Sequence, residues 1–239
     1  MTEHTVKAFD ADIGRLRGLI SQMGGLAEDA IARAMKALAR NDPELAAEVR
    51  AADKAIDALQ AEVERLAVQV IALRAPMAVD LREVVAALKI AGVVERIGDY
   101  AKNIARRVPL IDGEHRIEPV SILPAMGRMA SEMVRDALDA FAARDAEAAV
   151  GVCDSDLALD DFYDSIFRTL VTYMVENPKT ISQVAHLLFV AKNLERIGDH
   201  ATNVAEMVYF AATGAPMADR ERGGDPEFGP ASLNRRAKG

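Results

Sequence analysis

The alternation of apolar and polar positions predicts helix from near the start of the chain to about residue 213. Ile90, Val93, Ile97, Ile104 and Val108 fall on one side of a helix, and Val190, Ile197, Val204 and Val208 repeat that arrangement. Turn signals cut the pattern into segments. A first amphipathic stretch stops at about Arg40, before Asn41-Asp42-Pro43, where Asp42 is placed to cap and Pro43 to occupy the first turn of the next helix. That second helix runs to about Arg74, breaks at Ala75-Pro76 and gives way to a third from about Val79 to Val108. Further breaks near Arg144-Asp145 and at Asn177-Pro178 divide the remainder, so six long helices are predicted.

The six form two sets of three. VVERIGDYAKNIA, from Val93 to Ala105, recurs as NLERIGDHATNVA, from Asn193 to Ala205, at an offset of 100 residues. Upstream, MGGLAEDAIARAMKALARNDPE from Met23 echoes MGRMASEMVRDALDAFAARDAE from Met126, there at an offset of 103. Short connections make neighbouring helices antiparallel. The expected fold is therefore all-α, two tandem three-helix bundles related by a pseudo-two-fold axis, each with its own core. The first bundle is placed at residues 1–110 and the second at 120–213, with a linker at 111–119 marked by proline and glycine. The tail at 214–239 is rich in Gly, Pro and charge, lacks periodicity and is expected to be disordered.

The duplicated element is Glu-Arg-Ile-Gly-Asp followed four residues later by Asn. Glu95, Asp99 and Asn103 span about 80° of the helix circumference and so form one polar stripe, as do Glu195, Asp199 and Asn203. The apolar residues lie opposite, which predicts that the stripe faces the surface or an interdomain space rather than the core. Asp53 and Asp57, with counterparts Asp156 and Asp160, lie on the shoulder of the second helix's apolar face, where they can meet the third helix. Like charges four residues apart destabilise a helix by about 0.2 to 0.5 kcal/mol per pair. The chain makes that choice four times, which a solvated acidic face tolerates and a bound cation would relieve. Carboxylate and amide oxygens suit hard divalent or trivalent ions such as Mg²⁺, Mn²⁺, Ca²⁺ or Fe³⁺, with Zn²⁺ also accepted. Gly98 and Gly198 sit beside the stripe in mid-helix, so close approach of a neighbouring helix or of a ligand is expected there. Glu206 replaces Arg106 on the stripe, so the second copy is expected to hold metal more tightly.

Composition narrows the function. A 51% apolar content suffices for packed cores, and a net charge of −8 excludes the concentrated basic face that nucleic acid requires. Cys153 is the only cysteine, which rules out an internal disulfide and fits a reducing compartment, with a buried, inert thiol expected. The N-terminus lacks the charged and apolar regions of an export signal, and no uncharged apolar run reaches the roughly 18 residues needed to span a bilayer. A cytoplasmic protein touching membrane only through partners is expected. No Glu-x-x-His pair occurs, and the histidines His4, His115, His186 and His200 are scattered, with His200 pointing off the stripe. Phosphate-loop, nucleophile-elbow and zinc-spacing motifs are missing as well. A non-catalytic regulatory adaptor is therefore favoured over a carboxylate-bridged metal enzyme on a helical bundle, and over a purely structural bundle with solvated stripes.

From about residue 10 to 212 the chain resembles the PhoU family of phosphate-specific transport system accessory proteins. Met23-Gly24-Gly25, Ala78-Val79-Asp80-Leu81-Arg82, both Glu-Arg-Ile-Gly-Asp elements and the Met174 to Thr180 turn carry the resemblance. It implies paired three-helix bundles, often as a homodimer, holding Fe, Zn or other divalent ions such as Mg or Mn on Glu/Asp-x-x-x-Asp motifs. It also implies negative regulation of the phosphate-starvation response, in which the state of a phosphate ABC transporter, through its ATPase subunit, is relayed to a membrane sensor histidine kinase. Carried onto this chain, the metal-binding positions are Glu95, Asp99, Asn103, Glu195, Asp199 and Asn203, with Asp53, Asp57, Asp156 and Asp160 on the neighbouring helices.

Overall fold

A computed structural model describes residues 2–111 and 117–218. The order is α1 (Thr2–Arg40), α2 (Pro43–Arg74), α3 (Val79–Arg107), α4 (Leu123–Ala143), α5 (Ala146–Glu176) and α6 (Ile181–Thr213), with short 3₁₀ segments at Val108–Leu110, Glu118–Ile122 and Pro178–Thr180. No strand occurs among the described residues. The helices begin and stop where side-chain chemistry requires. The Asp42 carboxylate accepts the Leu45 amide at 2.9 Å with Pro43 in the first turn, and Asp145 does the same for the amides of Glu147 and Ala148 at 2.9 and 3.0 Å. No described helix is long and apolar enough to cross a membrane.

α1, α2 and α3 pack together, as do α4, α5 and α6, and the halves join along α3 against α6 and α1 against α4. Both joins are antiparallel. Arg82 of α3 donates to the carbonyl of Ala211, near the end of α6, while Arg107 at the other end of α3 contacts His186, near the start of α6. At the centre, Tyr100 stacks on His200 with ring centroids 5.4 Å apart. These two residues are equivalents across the repeat, so the pseudo-two-fold axis passes between them. The α1–α4 join obeys the same symmetry. A Cβ on Gly24 would stand 2.3 Å from Leu138 Cδ1, and one on its equivalent, Gly127, would stand 2.7 Å from Cγ of Met35, the equivalent of Leu138. Glycine lets these two helices touch, and Glu28 and Arg135 close the same join with hydrogen bonds at 2.9 and 2.6 Å.

Two expectations change. The bundles do not keep separate cores: buried residues from Ile13 to Val208 form one continuous cluster, because the apolar faces of α3 and α6 are wide enough to serve both their own bundle and each other. Cys153 is half-buried rather than buried, and its thiol donates to Met217 Sδ at 3.7 Å, so the start of the tail packs onto α5. Of the expected linker and tail, residues 112–116 and 219–239 lie outside the described residues.

Candidate metal centre

Each acidic stripe faces the groove between the second and third helix of its copy. In the first copy Asp53 is buried, Glu95, Asp99 and Asn103 are half-buried, and Asp57 is exposed. In the second copy Glu195 is buried, while Asp156, Asp160, Asp199 and Asn203 are half-buried. This corrects the expectation of an outward-facing stripe. The carboxylates flank the core-facing seam and are roofed by the adjacent helix, because Gly98 and Gly198 draw that helix in. A Cβ on Gly98 would lie 2.8 Å from Ile56 Cδ1, and one on Gly198 would lie 2.3 Å from Leu159 Cδ2. The same glycines leave room for carboxylates from across the groove, with Asp53 Oδ1 at 3.5 Å and Asp156 Oδ1 at 3.2 Å from those positions. Close helix contact thus accounts for both glycines, and it brings the second-helix aspartates to the stripe.

The electrostatics show which carboxylates share a groove. Burial pushes the Glu95 carboxyl up, and the neighbouring charges of Asp99, Asp57 and Asp53 add to it, partly offset by Arg96. In the second copy burial raises Asp160 to about 6, with Glu195, Asp199 and Asp164 adding and Lys192 opposing. Burial also raises Glu195, against the hydrogen bond from Lys192. All four sequence-predicted acidic residues of the first copy are therefore neighbours, as are Asp160, Glu195 and Asp199 of the second, where Asp156 stands beside Gly198. Each of these charges makes the next harder to keep, which is the condition a bound cation relieves.

Donor chemistry fits a hard cation. In the first groove the chain itself supplies one: Lys102 Nζ bonds Asp53 from across the groove and lies 3.0 Å from Asp99 Oδ1. Among the described residues no three His, Cys, Asp or Glu side chains converge as metal ligands do. The carboxylates instead line each groove in a row, so binding requires rotamer changes that bring them together. Glu95, Asp99, Asp53 and Asp57 would hold an ion in one groove, and Glu195, Asp199, Asp156 and Asp160 in the other. Arg106 is exposed and donates to Asn103 at 3.0 Å, while its counterpart Glu206 is exposed at the edge of the second groove. His200 belongs to the α3–α6 contact and not to the carboxylate row; burial lowers its pKa. The lysines were missed in the sequence, although Lys102 follows Asp99 by three residues and Lys192 precedes Glu195 by three, spacings that bring such pairs together on a helix.

A pH dependence follows. Asp160 is raised in the folded state, so the stability it contributes is fully present below the unfolded value near 3.8 and is lost as pH rises through about 6. Taken in full that displacement corresponds to about 3 kcal/mol, and screening at a partly exposed carboxyl reduces it to about 1 kcal/mol. His200 and His186, both lowered by burial, act with the opposite sign and lose stability as pH falls below about 6.5. The comparison that isolates Asp160 is Asp160→Asn against the unmodified chain, metal-free. The variant is expected to gain about 1 kcal/mol relative to it on going from about pH 4 to about pH 7. A constant difference in urea midpoints across that range would contradict the placement of Asp160 among Glu195 and Asp199.

Comparison with known proteins agrees with this geometry. A family model described as the PhoU domain matches residues 20–108 and 123–208, one match per copy. The chain is 57% identical over 222 residues to a phosphate-specific transport system accessory protein PhoU homolog of Zymomonas mobilis, covering 93% of this chain and 94% of that one. It is 47% identical over 224 residues to the protein of the same name from Caulobacter vibrioides, covering 92% and 96%. Among solved structures, that of PhoU from Pseudomonas aeruginosa superposes with a TM-score of 0.82 at 37% identity, covering 87% of this chain and 100% of that one. The phosphate transport system regulatory protein PhoU from Streptococcus pneumoniae superposes with a TM-score of 0.82 at 27% identity, covering 87% and 99%.

Proposed function

The chain belongs to the PhoU family, and from that premise we propose that it is a non-enzymatic, metal-binding regulatory adaptor of phosphate transport that holds the phosphate-starvation response off. In this reading it acts in the cytoplasm as a homodimer, meets the ATPase subunit of a phosphate ABC transporter and a sensor histidine kinase, and reaches the membrane only through them. The observation that carries the reading is the pair of acidic grooves, built alike on α2–α3 and α5–α6. A duplicated, half-buried row of carboxylates has a purpose if a cation ties each pair of helices, and such a tie sets the shape that partner proteins meet. The names of the relatives, accessory and regulatory proteins of phosphate transport, support the same role. Exposed apolar side chains at the α2–α3 turn, Leu73, Met77 and Val79, and at the α5–α6 end, Val175 and Ile181, are surface of the kind that partners cover. Because α3 and α6 are antiparallel, these two surfaces lie at opposite ends of the molecule, which suits a relay between two partners.

The test is expression of phosphate-starvation genes in phosphate-rich medium. Deletion of the chain is expected to release them, and the Asp99→Ala/Asp199→Ala double variant, folded by circular dichroism, is expected to do the same and to lose bound metal in elemental analysis. Repression that survives the deletion would remove the regulatory role. Repression that survives only in the double variant would separate that role from the carboxylates.

A further inference from the structure

The two grooves answer their own negative charge differently. In the first, Lys102 reaches from α3 into the space between helices and bonds both Asp53 of α2 and Asp99 of α3, with its side chain only 22% exposed. An ammonium therefore stands where a bound cation would tie the two helices. In the second copy the equivalent position is Thr202, whose hydroxyl turns back to the Asp199 carbonyl of its own helix at 2.7 Å and offers no charge. The second groove's lysine sits at the other end of the motif, where the first copy has Gly92. Lys192 bonds Glu195 Oε1 at 2.6 Å and lies 5.3 Å from the centroid of the Tyr163 ring. That bond reaches one carboxylate, on the lysine's own helix, while the ammonium charge acts at longer range on Asp160 of α5; the half-exposed Arg196 lies 3.3 Å from Asp199.

We propose that Lys102 is the first groove's built-in counter-cation, which competes with a metal ion for Asp53 and Asp99, so that the two sites fill in order, the Glu195/Asp199 groove first and the Glu95/Asp99 groove only when the ammonium is displaced. The proposal rests on the metal-binding reading above and extends it. Two charges cannot share the same pair of carboxylates at close range without strong repulsion, so an ion entering the first groove must drive the ammonium out to solvent. A lysine stem allows that: it is flexible, and its compact, strongly hydrated head is stable once released. The first groove then responds to metal at a higher concentration than the second, and a chain with two similar sites carries two thresholds.

Calorimetric titration of the full, tag-free, metal-stripped chain with Mn²⁺ tests this. The unmodified protein is expected to bind in two phases, and Glu195→Gln/Asp199→Asn to retain only the weaker one. Adding Lys102→Thr, the residue of the second copy, to that double variant is expected to tighten the remaining phase about tenfold or more, since a unit positive charge has left the site. Lys102→Met, which keeps the stem, is expected to do the same if the threonine variant folds poorly. Lys102→Arg, which keeps the charge, is expected not to tighten it. A weak phase whose affinity is the same with Lys, Thr and Met at 102 overturns the competition while leaving metal binding in place. Tightening by Arg as much as by Thr also overturns it, because charge is then not the cause. Titrations of the unmodified and Lys102→Thr chains that are both flat remove the metal-binding reading together with this one.

Discussion

Gly198→Val is expected to destabilise the fold by about 3 kcal/mol, the upper part of the usual range for overpacking a core, and to lower the melting temperature by roughly 6 to 12 °C for a chain of this size. The cause is local and specific. A Cβ at this position would stand 2.3 Å from Leu159 Cδ2, 3.2 Å from Asp156 Oδ1 and 3.6 Å from Met133 Cε. A β-branched side chain has few rotamers on a helix, so Leu159, Asp156 and Met133 must all shift to admit it. Gly98→Val in the first copy is expected to cost less, since its neighbours stand farther off, Ile56 Cδ1 at 2.8 Å and Asp53 Oδ1 at 3.5 Å. Gly151 in α5 has open space around it, and Gly151→Ala should raise stability by up to about 1 kcal/mol through helix propensity. Thermal unfolding followed by circular dichroism ranks the three. A Gly198→Val melt within about 2 °C of the unmodified protein would show that the α5–α6 contact is loose. The same variant bears on the site, because it displaces Asp156 from the groove: loss of the tighter Mn²⁺ phase should accompany the loss of stability.

The second large effect concerns a buried charge far from the grooves. Glu83, 5% exposed near the start of α3, accepts from Arg17 of α1, with Nε at 2.7 Å, and from Arg144, which ends α4 in a left-handed turn. One carboxylate thus fastens α3 to its own bundle and to the other half of the chain. Glu83→Ala strands Arg17, which is mostly buried, and leaves the more exposed Arg144 to water. Breaking a fully buried pair costs about 3 to 5 kcal/mol; with one arginine half-exposed, about 2 kcal/mol is expected, read as a shift in the urea midpoint without a change in slope. Double-mutant cycles pairing Glu83→Gln with Arg17→Met and with Arg144→Met should show coupling to both partners, larger for Arg17. No coupling to Arg144 would mean that the tie between halves rests on apolar contact alone. The second copy has Gln183 at the equivalent position, so this clamp exists on one side only.

Much of this molecule was legible in one dimension. Helix limits at Arg40, Arg74 and Asn177, the cap Asp42, and the breaks at Pro76, Arg144-Asp145 and Pro178 depend on interactions within a few residues, and such interactions are written in the order of the chain. The duplication was equally plain, as were the acidic stripes, because helical periodicity converts spacing directly into a shared face. That periodicity could not say what stands opposite a face. Glu95 and Glu195 are both followed by Arg-Ile-Gly-Asp, yet one is half-buried and the other buried, since the helix roofing each groove brings its own side chains. Whether Lys102 turns to solvent or reaches Asp53 depends on a residue 49 positions away. The fusion of two expected cores into one, the meeting of Tyr100 with His200 on the pseudo-two-fold axis and the Arg17–Glu83–Arg144 clamp were likewise decided by packing. Local order determines which side chains a helix can present; only the approach of other helices, at distances where burial and Coulomb forces become strong, determines which of them are paired, buried or left to bind something else.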